Sequence, residues 1–228
     1  MAVDVRWLGQ SAFLLQAGGT TVLTDPFLTS NPAAAAAPDE LTPDVIALSH
    51  GHFDHVGDTV DIAKRTRATV VAVPELANEI GGQGVDVLDP NLGGTVTFDW
   101  GWIKLVPAWH TAVSPGGAAH TAAGLLVYLG DRLIYHLGDT ALFSDMQLIA
   151  RRGNRVDLAL VPIGGHYTMD RFDAVTAVEF INPAQVIPCH YNTFPVIQTD
   201  PEAFKTDVQN AGFSEVIVLE PGGTHTVR

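Results

Sequence analysis

The ten residues "SHGHFDHVGD", positions 49–58, hold three histidines and two aspartates directly after the apolar run "DVIAL". A short, continuous apolar run reads as a strand buried on both faces, so the polar cluster stands at a strand end. His50 and His52 are two apart, and an extended backbone sets alternate side chains on one side. Both imidazoles can then reach one ion. Asp54 and His55 are neighbours and converge only where the backbone turns, which Gly51 and Gly57 permit. Imidazole nitrogen and carboxylate oxygen are donors that zinc and similar divalent ions accept, at about 2.0–2.2 Å. The order H-x-H-x-D-H after a buried strand therefore predicts a metal site. By itself it does not say whether one ion or two are held.

A site built at one strand end recruits ligands from others, and the sequence offers three. His110 closes "WIKLVPAWH", Asp139 closes "RLIYHLGD" and His190 closes "AQVIPCH". Each stands where an apolar run gives way to a polar loop. A capping aspartate or an edge histidine is common singly, but the three share one kind of position. Cys189 adjoins His190 on its strand, so its side chain faces the other way and reads as core.

The surrounding chain supports a layered α/β protein. "VDVRWLGQSAFLLQAGGTTVLTDP" reads as short strands with Gly18-Gly19 as a hairpin turn. "LTSNPAAAAAPDELTP" reads as an exposed loop, either a spacer or a flap beside a site. "DTVDIAKRT" reads as a helix with Asp58 as N-cap, "ATVVAV" as a buried strand and "PELANEIGG" as a helix. Strands return with "GTVTFDW", "WIKLVPAWH", "AAGLLVYLG" and "DRLIYHLGD", the last two turning at Gly130-Asp131. Then come a helix over "TALFSDMQLIARRG", a strand in "VDLALVPIGG", a helix over "RFDAVTAVEFI", the strand "AQVIPCH" and a helix over "DPEAFKTDVQNAG". Each half meanders first and then alternates strand with helix. That order predicts two similar halves packed sheet to sheet with helices outside.

Composition bounds the function. The chain has 228 residues, 46% hydrophobic and 16% charged, enough for a sizeable core. A single cysteine excludes an intramolecular disulfide and fits a reducing compartment. No basic n-region with an apolar run opens the sequence, and no stretch approaches the roughly 20 apolar residues of a membrane span. A cytoplasmic protein without membrane contact is the expectation. Its 12 Lys and Arg against 25 Asp and Glu leave a net charge of −13, which disfavours nucleic acid as a partner. A small anionic substrate stays open, because a bound metal reverses the local sign.

H-x-H-x-D-H, a later lone His, a Gly-Asp-Thr and a late His together resemble the metallo-β-lactamase superfamily. "HTAVS", "GDTALFSDM", "PIGGHYTMD" and "PCHYNTFP" are similar to the bacterial metal-dependent hydrolases related to L-ascorbate-6-phosphate lactonase. The resemblance covers nearly the whole chain. It implies one domain over residues 1–228, a four-layer αβ/βα sandwich with the site at one edge of the two sheets. It assigns His50, His52 and His110 to a first metal, Asp54, His55 and His190 to a second, and Asp139 to both. Diiron flavoprotein relatives carry Glu where this chain has His52. The main class of true β-lactamases has Cys where it has Asp139. Oxygen reduction and antibiotic hydrolysis are accordingly disfavoured.

The chemistry implied is hydrolysis by a metal-bridging hydroxide. Its substrate would be a small ester, lactone or phosphate-containing metabolite. Zinc is the first choice of ion for histidine-rich ligation, with manganese, iron or nickel as alternatives. Asp54 would bind metal and orient the nucleophile, and His166, after a strand and two glycines, is the candidate proton donor to the leaving group. A structural role for His166, or one as a hydrogen-bond partner of a ligand, stays open. His120, His136 and His225 read as structural, with His136 facing away from the metals and His120 beside the entrance. Thr140 and Tyr167 are candidates for hydroxyl networks and Tyr191, Asn192 and Thr193 for substrate contact, while Trp109 is expected to pack. Phosphodiesterase or nuclease action, and a metal-binding protein without catalysis, are the alternatives. The family resemblance is also compatible with a homo-oligomer.

Overall fold

The computed structural model describes residues 1–149 and 155–228. Its first half begins with β1 (Val3–Gly9), β2 (Ala12–Ala17) and β3 (Thr20–Thr24). It continues through β4 (Val45–Ala47), α1 (Phe53–Val56), α2 (Thr59–Thr66), β5 (Thr69–Val71), α3 (Pro74–Gly81) and β6 (Val87–Leu88). The second half runs β7 (Thr95–Phe98), β8 (Gly101–Val113), β9 (Ala119–Leu129), β10 (Arg132–His136), α4 (Met146–Ile149) and β11 (Leu158–Pro162). It ends with α5 (Arg171–Ile181), β12 (Gln185–Cys189), α6 (Pro201–Ala211), β13 (Glu215–Val216) and β14 (Thr224–Val227). The C-terminal part of the helix expected over "TALFSDMQLIARRG" lies outside the described residues. Among those described, no helix is long and apolar enough to cross a membrane.

Two seven-stranded sheets form, ordered β14-β1-β2-β3-β4-β5-β6 and β13-β12-β11-β10-β9-β8-β7. Each is antiparallel through its early meander and parallel from β3 or β10 onward. The parallel strands β4 and β11 are buried along their whole length, as their apolar runs require. Helices α2 and α3 lie against β5 and β6, and α5 and α6 against β11 and β13. The inner faces meet where Phe13 of β2 packs edge-on to His136 of β10, ring centroids 5.8 Å apart. The result is the mixed α/β arrangement of two sheets with helices that the sequence pattern implies. One feature of it was not anticipated: β14 returns from the C-terminus to pair with β1.

Both predicted hairpins are present. Gly18 and Gly19 join β2 to β3, and Gly130 with Asp131 joins β9 to β10, all four at positive φ. Such turns match the strand twist. Two local expectations need correction. Asp58 does precede α2, but its carboxylate caps no helix N–H. It accepts instead from the backbone N–H of Leu28 and Thr29, at 3.0 and 2.8 Å, and so anchors the long loop after β3. His110 does not close a strand either. β8 continues to Val113, and His110 lies in an irregularity within it.

Candidate metal centre

Strand ends, the short helix α1 and a bulge within β8 carry the seven predicted ligands. The turn after β4 delivers His50 and His52, and α1 delivers Asp54 and His55. Gly57 turns the chain out of α1 at φ 38°, and a Cβ there would meet the Pro26 carbonyl oxygen at 2.3 Å. Gly51 serves by close approach: a Cβ there would meet the His120 ring at 2.6 Å.

His110 arrives by a bulge. Pro107 pairs with Ala123 and Thr111 with Thr121, leaving residues 108–110 opposite Ala122 alone. A bulge frees backbone groups and re-aims side chains. Here the freed Trp109 N–H donates to Thr140 Oγ1 at 3.0 Å, and the Trp109 carbonyl accepts from Ala141 N at 3.0 Å. The bulge thus docks on the residues that follow Asp139. Asp139 itself comes three residues after β10, and His190 directly after β12 at φ 53°.

The seven side chains converge. His52 Nδ1 lies 3.0 Å from His50 Nε2 and 3.3 Å from His110 Nε2. Asp54 Oδ2 is 3.7 Å from both His55 Nε2 and His190 Nε2. Asp139 stands between the two sets. Its Oδ2 is 3.6 Å from His110 Nε2, 3.9 Å from His50 Nε2 and 3.2 Å from His190 Nε2, while Oδ1 is 3.3 Å from His55 Nε2. Donors about 2.0–2.1 Å from a tetrahedral ion stand about 3.3 Å apart, so these spacings suit coordination.

The directions of these groups suit it too. His55 Nε2, His190 Nε2 and Asp139 Oδ1 are buried and have no hydrogen-bond partner among the described residues, although oppositely charged atoms lie within reach. Near neighbours that fail to align as hydrogen bonds are what groups aimed at a common point look like. Left so, each unmet buried polar group is costly. The donor set and its orphaned atoms fit a divalent cation.

A polar layer beneath the cluster fixes the tautomers of two of its histidines. Asp25, fully buried, accepts from His55 Nδ1 at 2.7 Å, from Ser49 Oγ at 2.5 Å and from Ser49 N at 2.8 Å. Because the Ser49 hydroxyl gives its one proton to Asp25, it can only accept from His50 Nδ1, 3.0 Å away. The proton then sits on Nδ1 of both His50 and His55, leaving Nε2 to face the centre. Gln10, also fully buried, donates from Nε2 to Asp54 Oδ2 at 3.0 Å. Asp25, Ser49 and Gln10 are absent from the expected set. Asp25 carries a signal, because it ends the run "TTVLTD" as the ligands end theirs. For Ser49 and Gln10 we see none.

Charge follows the same division. Burial, with the His55 charge second, holds His50 well below the usual histidine range, and burial also lowers His52 and His110. Burial opposes a charge on His190, yet the Asp139 and Asp54 carboxylates push it up to about 9. His55 is likewise raised against its burial by Asp139, Asp25 and Asp54. Asp54 falls to about 2 despite burial, under His55 and His190, and Asp139 is pulled well down by the same two.

Other candidates fall outside the cluster. His166 is exposed at φ 56° and stacks edge-on to Tyr167, 4.5 Å between centroids, with no polar contact to the seven among the described residues. Its loop is tethered to the centre through Met169 N and the Thr140 carbonyl, 3.1 Å apart. His120 accepts from Gly51 N at 3.0 Å, so it props the ligand turn. His136 donates to the Ser11 carbonyl at 2.9 Å and lies 4.0 Å from Asp25, below the ligands rather than among them. His225 bonds Gln185 in a separate surface cleft. Cys189 is buried in the core. Trp109, expected to pack, is 69% exposed, because the bulge lifts it off the sheet. Thr140 does join a network, through Trp109, whereas the Tyr167 side chain is exposed. Tyr191 packs at a tilt against Trp7, centroids 5.3 Å apart, and Asn192 accepts from Thr199 N, so both have structural work. Thr193 is buried as well.

Residues 4–190 match the family model described as a beta-lactamase superfamily domain. A metal-dependent hydrolase of Thermus thermophilus is 47% identical over 221 residues, covering 96% of this chain and 97% of that protein. One from Symbiobacterium thermophilum is 45% identical over 227 residues, 99% of this chain and 100% of that one. Among solved structures, a metallo hydrolase from Ignicoccus hospitalis is similar with a TM-score of 0.91 at 35% identity, covering 100% of this chain and 99% of its own.

Proposed function

We propose, for a chain that belongs to the metallo-β-lactamase superfamily and is a metal-dependent hydrolase, that its seven clustered side chains hold two divalent ions. His50, His52 and His110 would take one, Asp54, His55 and His190 the other, with Asp139 serving both. The observation that carries this reading is the place of Asp139, 3.6 Å from His110 Nε2 on one side and 3.2 Å from His190 Nε2 on the other. Zinc suits six donors of which five are histidine nitrogens, beside that shared carboxylate. When bound, such ions polarise a substrate oxygen and bring the pKa of water toward neutrality.

The chain's own groups then do the following. Asp54 accepts the Gln10 amide on Oδ2, which leaves Oδ1 to take a proton from the attacking water. Asp25 and Ser49 hold the two imidazoles with their Nε2 atoms inward. His166, on a loop tethered through Met169 N to the Thr140 carbonyl, would give a proton to the leaving group. The net charge of −13 disfavours polyanions at long range, which puts a small carboxylic ester or lactone ahead of a phosphodiester.

The test is a panel of aryl esters, lactones, phosphomonoesters and phosphodiesters offered to protein loaded with two equivalents of zinc. Turnover of an ester or lactone, abolished by chelation and restored by metal, is expected. His166→Ala should lower that turnover with metal content unchanged. Cleavage of phosphodiesters alone would reverse the ranking, and no turnover across the panel would remove the hydrolytic reading of the site.

A further inference from the structure

The short turn between β1 and β2 reaches into the metal centre through one residue, Gln10. It is fully buried, at φ 50°, and touches two of the three residues of the second ligand set. Its backbone carbonyl accepts from His190 N at 3.1 Å and from Trp7 Nε1 at 3.0 Å. Its side-chain amide donates to Asp54 Oδ2 at 3.0 Å. A carboxylate only accepts, so the NH2 end must face Asp54 and the orientation of the amide is determined. That places Oε1 in a buried position where no donor among the described residues meets it.

A hydrophobic residue of the same volume would fill this place without an unmet acceptor. The cluster instead spends a buried glutamine on one oxygen of Asp54, the same oxygen that lies 3.7 Å from His55 Nε2 and from His190 Nε2. We propose that Gln10 is a positioning residue for the second metal: its amide fixes Asp54 with Oδ2 toward the His55–His190 pair. Without the amide, Asp54 rotates about its χ angles, and either oxygen or neither faces that pair. Asp54 sits at the N-terminal turn of a four-residue helix, which offers little else to hold it. Among the described residues, Gln10 makes no hydrogen bond to the first set, so the effect falls on one ion. This inference rests on the two-ion reading above.

The experiment compares wild type with Gln10→Met, which keeps volume and removes the donor, and Gln10→Glu, which keeps shape and sets a second carboxylate against Asp54. Competitive titration with zinc and a chelator measures each equivalent, cobalt(II) substitution reports the ligand field, and thermal melting of the metal-stripped proteins controls for folding. The expected result is a loss of about 10- to 100-fold in affinity for one equivalent, typical of a partner that orients a ligand. The other equivalent holds at its wild-type affinity, and the visible cobalt spectrum of the weakened site changes. Gln10→Met with both affinities and the cobalt spectrum of wild type overturns the proposal and leaves Gln10 as core filling. If Gln10→Met fails to fold, Gln10→Glu decides by the same readings. A wild-type chain that binds a single equivalent refutes the two-ion reading. Gln10 then keeps its role if the variants weaken that equivalent, and loses it if they do not.

Discussion

Asp25 sets the orientation of two proposed ligands from a single buried carboxylate, His55 directly and His50 through the Ser49 hydroxyl. Asp25→Asn keeps the shape and the tolerance for φ 39° but loses the charge that steadies His55. Metal affinity should fall about 10- to 100-fold, measured by chelator competition, with secondary structure unchanged by circular dichroism. Protons report the same layer. His190, raised from 6.5 to about 9, carries a proton at pH 7 in metal-stripped protein, and ligation must expel it. Zinc uptake at pH 7 should therefore release protons and strengthen as pH rises toward 9, read by calorimetry in buffers of different ionisation enthalpy. The linked stability of stripped protein runs the other way. The His190 contribution is full below about 6.5 and lost as pH rises through about 9. That of Asp54, lowered from 3.8 to about 2, is full above 3.8 and lost as pH falls through about 2. The ligand candidates were legible in sequence because few residue types bind divalent ions and theirs recur at one kind of position. Asp25, Ser49 and Gln10 were harder, since their work depends on contacts with partners 24, 24 and 44 residues away in sequence.

At the scale of elements, the bulge in β8 decides whether the first set is complete. Residues 108–110 oppose one residue of β9, and the Thr140 hydroxyl takes the N–H that this frees. Thr140→Val keeps the branched shape in a fully buried position and removes that acceptor. Metal-stripped protein should lose roughly 1–3 kcal/mol, the cost of an unmet N–H, seen as a lower denaturant midpoint. On the proposed assignment, the equivalent given to His50, His52 and His110 should weaken with it. An unchanged midpoint would show that the bulge is held by other contacts. Strands, helices and hairpin turns could be read from apolar runs and from Gly-Gly and Gly-Asp. The bulge could not, because it is a property of the pairing between β8 and β9, and "WIKLVPAWHTAV" alone reads as strand ending in His110. Asp58 shows the reverse case: its place before a helix was legible, but its partners belong to the loop after β3.

At the scale of the molecule, the centre straddles the two halves. His50, His52, Asp54 and His55 follow a strand of the first sheet, while His110, Asp139 and His190 belong to the second. Metal that binds only the assembled arrangement stabilises the fold by mass action, so it should act as a clamp between halves. Chelation should lower the melting temperature, and readdition should restore it. The layered order could be anticipated because both halves repeat meander and then strand–helix alternation. The closing of β14 onto β1 could not, since four residues, "THTV", carry no signal of their partner. The most direct measurement is the number of zinc equivalents held per chain by wild type, His52→Ala and His190→Ala, taken by native mass spectrometry after removal of loosely bound metal. The account predicts two for wild type and one for each variant. A wild-type chain that holds one equivalent, or variants that both retain two, would contradict it.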